Sequence, residues 1–185
     1  MKIVLASIVV GLLAFLLWGI YDNSQSESND NSFPEPIAGA FGVSLGKHFK
    51  PEMVKEVLSK EQKEYTVKEG VKLPGTVIQF KPNEPDNNFQ QYEIKTTQSG
   101  IIYSIEGKYQ GDKEMTPKVC KAIVKSLAEE QAARYGKPRG KDSFGQWYSF
   151  RQTSDFSKSL KLYAHRCRTG AYSMVYMDDK VRKEN

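Results

Sequence analysis

Gly42-Val43-Ser44-Leu45-Gly46 sets a serine at G-x-S-x-G spacing. This is the pattern of a nucleophile elbow, where a sharp strand-to-helix turn exposes the hydroxyl. Asp155 and His165 follow in an order that would complete a hydrolytic triad. The chemistry needs a buried strand before the serine, a helix directly after it, and several strands of a parallel sheet ahead of both. Here a polar stretch and Ile37-Ala38-Gly39-Ala40 precede it. The segment therefore reads as a Gly-rich lead-in with Phe41 and Leu45 turned to a core, and an envelope hydrolase using Ser44 is the third of three functional readings.

Other reactive patterns are weaker. Gly136 to Lys141, GKPRGK, lacks the spacing and the Ser or Thr of a phosphate loop and reads as a basic turn. His48 and His165 have no carboxylate or cysteine cluster that would complete a metal site. No paired carboxylates stand out. The expectation is a protein without catalytic residues, metal or cofactor.

Cys120 and Cys167 are the two cysteines, and no C-x-x-C redox pair is present. Their meaning depends on compartment. Ile3 to Ile20 is uncharged and apolar, and as a helix at 1.5 Å per residue it would be roughly 27 Å long, close to a bilayer's hydrocarbon thickness. It exceeds the core of a cleaved signal, and no cysteine stands near it for lipoprotein processing. Residues 1–21 are thus expected to be an uncleaved transmembrane signal anchor, with Lys2 cytoplasmic and the acidic stretch from Asp22 outside. In a bacterium with two membranes this means a single inner-membrane pass and a periplasmic C-terminal domain. Export favours one Cys120–Cys167 disulfide as the economical reading, with two buried thiols or an intermolecular bridge as alternatives.

Charge and aromatics suggest surfaces. Residues 101–185 carry 17 basic and 10 acidic side chains, against 10 and 12 in residues 1–100. Arg134, Lys137, Arg139 and Lys141 cluster near the end of a helical segment. Outside the cytoplasm such a cluster points away from nucleic acid and toward an anionic surface or an acidic protein. Trp147, Tyr163, Tyr172 and Tyr176 fall on strand-like segments. With the four basic residues they are the candidate partner-binding set, since Trp, Tyr and Arg anchor protein interfaces. Core filling is the plainer alternative for the aromatics.

The elements that would position these residues follow from periodicity. Residues 22–36 form a polar linker, and the folded domain spans 37–185. Pro51 opens a segment with Met53, Val54, Val57 and Leu58 at helical spacing. Thr116 and Pro117 open a second, with Cys120, Ile123, Val124 and Leu127 in one stripe and Gly136 as its stop. Three strand-like runs follow each: 76–81, 89–96 and 101–108, then 144–151, 160–167 and 171–177. The expected fold is α+β, an N-terminal transmembrane helix followed by a tandem αβββ-αβββ domain with antiparallel sheet. Its half-repeats cover about 42–110 and 111–180. One conflict stands out. On 160–167, alternation points Cys167 away from the face carrying Leu160, Leu162 and Ala164, unless a bulge or a bond at the strand's end turns it.

The run Phe41 to Leu58, FGVSLGKHFKPEMVKEVL, is similar to the opening of BamE/SmpA-like small exported domains, and the tandem order resembles the β-lactamase-inhibitor-protein class. The resemblance implies a helix-on-antiparallel-sheet fold and a role in binding proteins. An uncleaved anchor in place of a lipobox departs from the first family, and no binding residue carries over. The leading functional reading is a membrane-anchored periplasmic protein-binding module, an accessory or assembly subunit of an envelope complex. An inhibitor or immunity protein of the prophage-exclusion type is the alternative.

Overall fold

Alternating side chains and tight turns dominate the chain from residue 71 onward, and they build a sheet. The computed structural model describes residues 35–68, 71–111, 114–138, 140–141, 147–152, 157–164 and 167–183. Strands β1 (Gly39–Ala40) and β2 (Val43–Ser44) form a small hairpin, and a single 3-10 turn follows at Pro51–Met53. Next comes a meander of β3 (Glu56–Lys68), β4 (Val71–Lys81), β5 (Gln91–Thr97) and β6 (Ile102–Tyr109). Helix α1 (Pro117–Tyr135) leads to a second meander, β7 (Gly140–Lys141), β8 (Trp147–Arg151), β9 (Lys158–Tyr163) and β10 (Tyr172–Asp178). A short helix, α2 (Asp179–Lys183), closes the described chain. The two meanders join through β6 and β10 into one antiparallel sheet of order β3-β4-β5-β6-β10-β9-β8-β7. The order mirrors itself about the β6–β10 seam.

This overturns the expected αβββ-αβββ tandem. The fold is mostly β, and the helix expected from Pro51 is absent. Val54 is already extended (φ −129°, ψ 156°) and buried, whereas Val57 and Leu58 are 38 % and 51 % exposed. The apolar spacing at 53, 54, 57 and 58 therefore marks no buried helical face. Those residues lead into β3, a 13-residue strand paired along its length with β4. Pro74 is accommodated in β4 because pairing with β5 starts only at Gly75. There the missing N–H faces no second strand. The anchor assigned to 1–21 and most of the linker assigned to 22–36 lie outside the described residues. Among the described residues no helix is long and apolar enough to cross a membrane.

One face of the sheet is covered. Ile78, Phe80, Ile94, Ile105, Leu160, Leu162, Met174 and Phe150 supply its floor, each 3 % exposed or less. Helix α1 lays Cys120, Val124, Leu127, Ala128, Gln131 and Tyr135 on it, spacings that keep one helical stripe inward. Thr116 accepts a hydrogen bond from the Val119 N–H at 3.3 Å, and the Gly136 N–H reaches Ala132 O at 3.0 Å, so both helix ends are capped. Ile37, Val43, Leu45 and Val54 from the N-terminal segment complete the core.

Cys120 and Cys167 are joined in a disulfide with Cα atoms 5.4 Å apart, and both residues are fully buried. Strand β9 ends at Tyr163, so Cys167 is not bound by strand alternation. It opens a 3-10 turn, Cys167–Thr169, that swings its side chain under α1. The bond thus ties the helix to the turn between β9 and β10.

Candidate functional site: an open sheet face with a ring of four charges

The other face of the sheet carries no helix over its centre. Register places Val77, Lys95, Ser104 and Met177 on this face, and in the next row Glu93, Glu106, Val175 and Lys161. Of these, Val77, Lys95, Ser104, Met177, Glu106 and Val175 line a shallow hollow of about 770 Å³ together with Lys108, Tyr163, Ser173 and Arg182. Tyr103 joins them through a bulge. Lys95 pairs with Ser104 and Thr96 with Ile102, which leaves Tyr103 as the extra residue on β6. A bulge of this kind re-aims a side chain, and so the successive residues Tyr103 and Ser104 both line the hollow.

At the centre Glu93 lies opposite Glu106 on the adjacent strand. Like charges directly opposite each other are destabilising. Two lysines remove the conflict. Lys108 Nζ is 2.9 Å from Glu93 Oε2 and 3.4 Å from Glu106 Oε2, and Lys95 Nζ is 3.3 Å from Glu93 Oε1 and 3.9 Å from Glu106 Oε2. The result is a closed ring in which each charge touches two of opposite sign. The glutamates are 14 % and 13 % exposed, the lysines 36 % and 27 %. Burial pulls the Glu93 carboxyl upward, but the hydrogen bond and charge of Lys108, with Lys95 behind them, outweigh it and hold Glu93 below its ordinary range. Beside the ring, burial and then the negative charges of Glu106 and Asp179 keep the Tyr163 phenol protonated beyond its usual range. The face therefore offers paired cations and anions and a hydroxyl donor, with apolar Val175 and Met177 between them. It can bind by hydrogen bonds and charge exchange.

The candidate residues named from the sequence are dispersed. Tyr163 is half-buried on the open face. Trp147 occupies the register position opposite it on β8. Tyr172 is buried, stacked on Tyr109 with ring centroids 5.1 Å apart, and its hydroxyl donates to Asn88 O at 2.7 Å. Tyr176 is 3 % exposed on the covered face, with its hydroxyl 3.5 Å from Gln131 Oε1 of α1. Burial drives its phenol far above the usual range. Arg134 ends α1, bound to Glu35 Oε2 at 3.0 Å, with its guanidinium 5.2 Å from the Tyr135 ring centroid. Lys137 is exposed, Lys141 lies on β7, and Arg139 is outside the described residues. The described basic residues therefore belong to the helix end and β7, while of the three candidate tyrosines Tyr163 is the one set on the open face beside Tyr103.

Ser44 sits exposed on the two-residue β2, paired with Gly39, and no helix follows it. Asp155 and His165 lie outside the described residues. His48 is exposed, bridged to Ile101. Among the described residues no group of three His, Cys, Asp or Glu is placed to hold a metal. The ring of charges was not found from sequence, yet a signal existed. Glu93-Ile94-Lys95 and Glu106-Gly107-Lys108 repeat one E-x-K spacing on successive strand-like runs. No protein-family model, no curated protein and no solved structure matches the chain.

Proposed function

We propose that the chain is a protein-binding module held on the outer side of the inner membrane by residues 3–20, and that its partner is another envelope protein. The observation that carries this reading is the open sheet face. A sheet normally buries both faces or leaves one side polar and featureless. Here the uncovered side is hollowed and sets Tyr103 and Tyr163, a residue type that anchors interfaces, beside paired charges that a partner of complementary charge can meet. The apolar N-terminal run and the disulfide support an exported location. An accessory or assembly subunit of an envelope complex is the form this role takes.

The test uses the full chain in its native membrane. A photo-crosslinking residue at Ser173, on the open face, is expected to give one discrete protein adduct. The same residue at Lys125, on the outer side of α1, is expected to give none. Lys108→Glu, which breaks the ring, should abolish the Ser173 adduct while leaving the oxidised chain at its normal abundance. Protease added to spheroplasts should degrade the domain. Equal labelling from both positions, no labelling from Ser173, or protection from protease would overturn the reading.

A further inference from the structure

Strand β3 is an edge of the sheet. It pairs with β4 on one side, and in the described sheet no strand lies on its other side. Thirteen residues long, it offers a row of unpaired backbone N–H and C=O groups that a further strand can complete. The opposite edge, β7, is only two residues. Natural edges are protected by being short or bulged, or by unpaired charge. β3 is long, its two irregularities lie near its ends, between Val57 and Ser59 and between Thr66 and Lys68, and the charges of the regular stretch between them are arranged in an unusual way.

We propose that two copies of the chain dimerise by antiparallel pairing of their β3 strands about a twofold axis at Gln62. The sequence from Glu56 to Lys68, EVLSKEQKEYTVK, is self-complementary around that residue. Pairing Gln62 with Gln62 sets Lys60 opposite Glu64 of the second copy, Glu61 opposite Lys63, and Glu56 opposite Lys68. Opposite charges directly across an antiparallel pair are favourable, and like charges are not. A twofold axis perpendicular to a sheet keeps each side chain on its own face, so every permitted register places one residue against its own copy. Centring on Lys60, Glu61, Lys63 or Glu64 would oppose identical charges. Centring on Ser59 or Tyr65 brings no opposite charges together. Gln62 alone satisfies all of them.

Two further observations agree. Lys60, Glu61, Gln62, Lys63 and Glu64 are all exposed, and Glu61 and Lys63 already pair within the strand at 2.8 Å. Both lie on the open face, since Glu61 is in register with Val77 and Val77 with Lys95. Two copies would close there a ring of two glutamates and two lysines, built from the same E-x-K spacing as the Glu93–Lys108 ring. The interface is isologous and closes, so it yields a dimer and not a fibre. Both open faces would lie on one side of a continuous sheet.

The test is a symmetric crosslink in the full chain in native membranes. Gln62→Cys is expected to give a disulfide-linked dimer on non-reducing gels. Lys60→Cys is expected not to, because residue 60 and its own copy are offset by four residues, roughly 13 Å, beyond disulfide reach. On the Gln62→Cys background, Lys60→Glu sets like charges against Glu64 twice and should reduce the crosslink about tenfold, the effect of ~1.4 kcal/mol. Adding Glu64→Lys to that variant should restore it. Absence of the Gln62→Cys crosslink, equal crosslinking from Lys60→Cys, or failure of the charge swap to restore it would each overturn the proposal. A dimer held only through another segment would give the first of these results.

Discussion

Gly107 on β6 makes room for Phe41. A methyl group at Gly107 would lie 2.9 Å from Phe41 Cζ and 2.8 Å from Phe89 Cγ. Phe41 sits at φ 56°, followed by Gly42 at φ 78°, in the two-residue turn that joins β1 to β2. Two positive φ values are the mark of the type I′ hairpin turn, and the first is strained for a non-glycine residue. Contacts hold it there: the Phe41 ring stands edge-on to Tyr92 at 4.9 Å, Phe89 at 5.6 Å and Tyr176 at 6.4 Å. The N-terminal segment is thus locked onto the covered face through one ring and one missing side chain.

Gly107→Ala should therefore destabilise the fold by about 1–3 kcal/mol, the usual cost of overpacking. The buried Phe89 ring meets the methyl at its root and not at a flexible tip, so relief by a small rotation is not available. Denaturant unfolding of the full chain in detergent would show a lowered midpoint with little change in slope. An unchanged midpoint would mean that the cluster is looser than its contacts indicate.

The disulfide closes a sequence separation of 47 residues. On chain-entropy grounds a loop of that length contributes about 4 kcal/mol, and native bridges in small domains are worth about 2–5 kcal/mol. Cys120→Ala with Cys167→Ala should lower stability by that amount. The oxidised wild type should run faster than the reduced protein on a denaturing gel, and the double variant should show no such shift.

How much of this was legible depended on how each element meets its surroundings. Helix α1 announced itself through Thr116, Pro117, Gly136 and an apolar stripe because it has one wet face and one dry face. Strands β4 to β6 and β8 to β10 showed strand character for a similar reason. β3 carries Lys60, Gln62 and Glu64 on one face and Glu61 and Lys63 on the other. An edge strand in water has no period to read, and four apolar residues at its entrance imitated a helix. The tandem expectation failed there. The ring on the open face was hidden differently. Each E-x-K is an ordinary strand pattern, and only the register of β5 on β6 turns two such patterns into a closed set of contacts. The turn of Cys167 was invisible because it depends on where β9 stops.

The Glu93 carboxyl should make stability pH-dependent on the acid side. Its folded-state pKa is lowered, by Lys108 and Lys95 against the opposing pull of burial. The stabilisation is therefore fully present above the ordinary glutamate pKa of 4.5 and is lost as pH falls through the lower folded value. Glu93→Gln should cost on the order of 1 kcal/mol at neutral pH, modest because the ring is partly solvated. It should also flatten the fall in stability below pH ~4.5. Unfolding midpoints measured from pH 7 downward would show the two curves converging. A constant offset between them at all pH values would remove the ring's role.

Tyr172 sets the alkaline limit. Burial first, then the neighbouring Tyr109 and Asp86, push its phenol from 10.0 up to about 12. Below pH 10 the phenol is protonated in both folded and unfolded chains, and its contribution is constant. Between about 10 and 12 the unfolded chain ionises while the folded one does not, so stability falls as pH rises. At 1.36 kcal/mol per unit the loss is on the order of 2–3 kcal/mol for this side chain. Tyr172→Phe keeps the ring stacked on Tyr109 but removes both the titration and the hydrogen bond to Asn88 O. It should be about 1 kcal/mol less stable at pH 7, the value of one such bond. Above pH 11 the order should reverse, because the wild type has by then lost more than the variant. Tyr176, Tyr135, Tyr163 and Tyr92 shift in the same direction, so both proteins will weaken in alkali. The crossing of the two stability curves isolates Tyr172, and parallel curves would show that its hydroxyl is solvated in the folded chain.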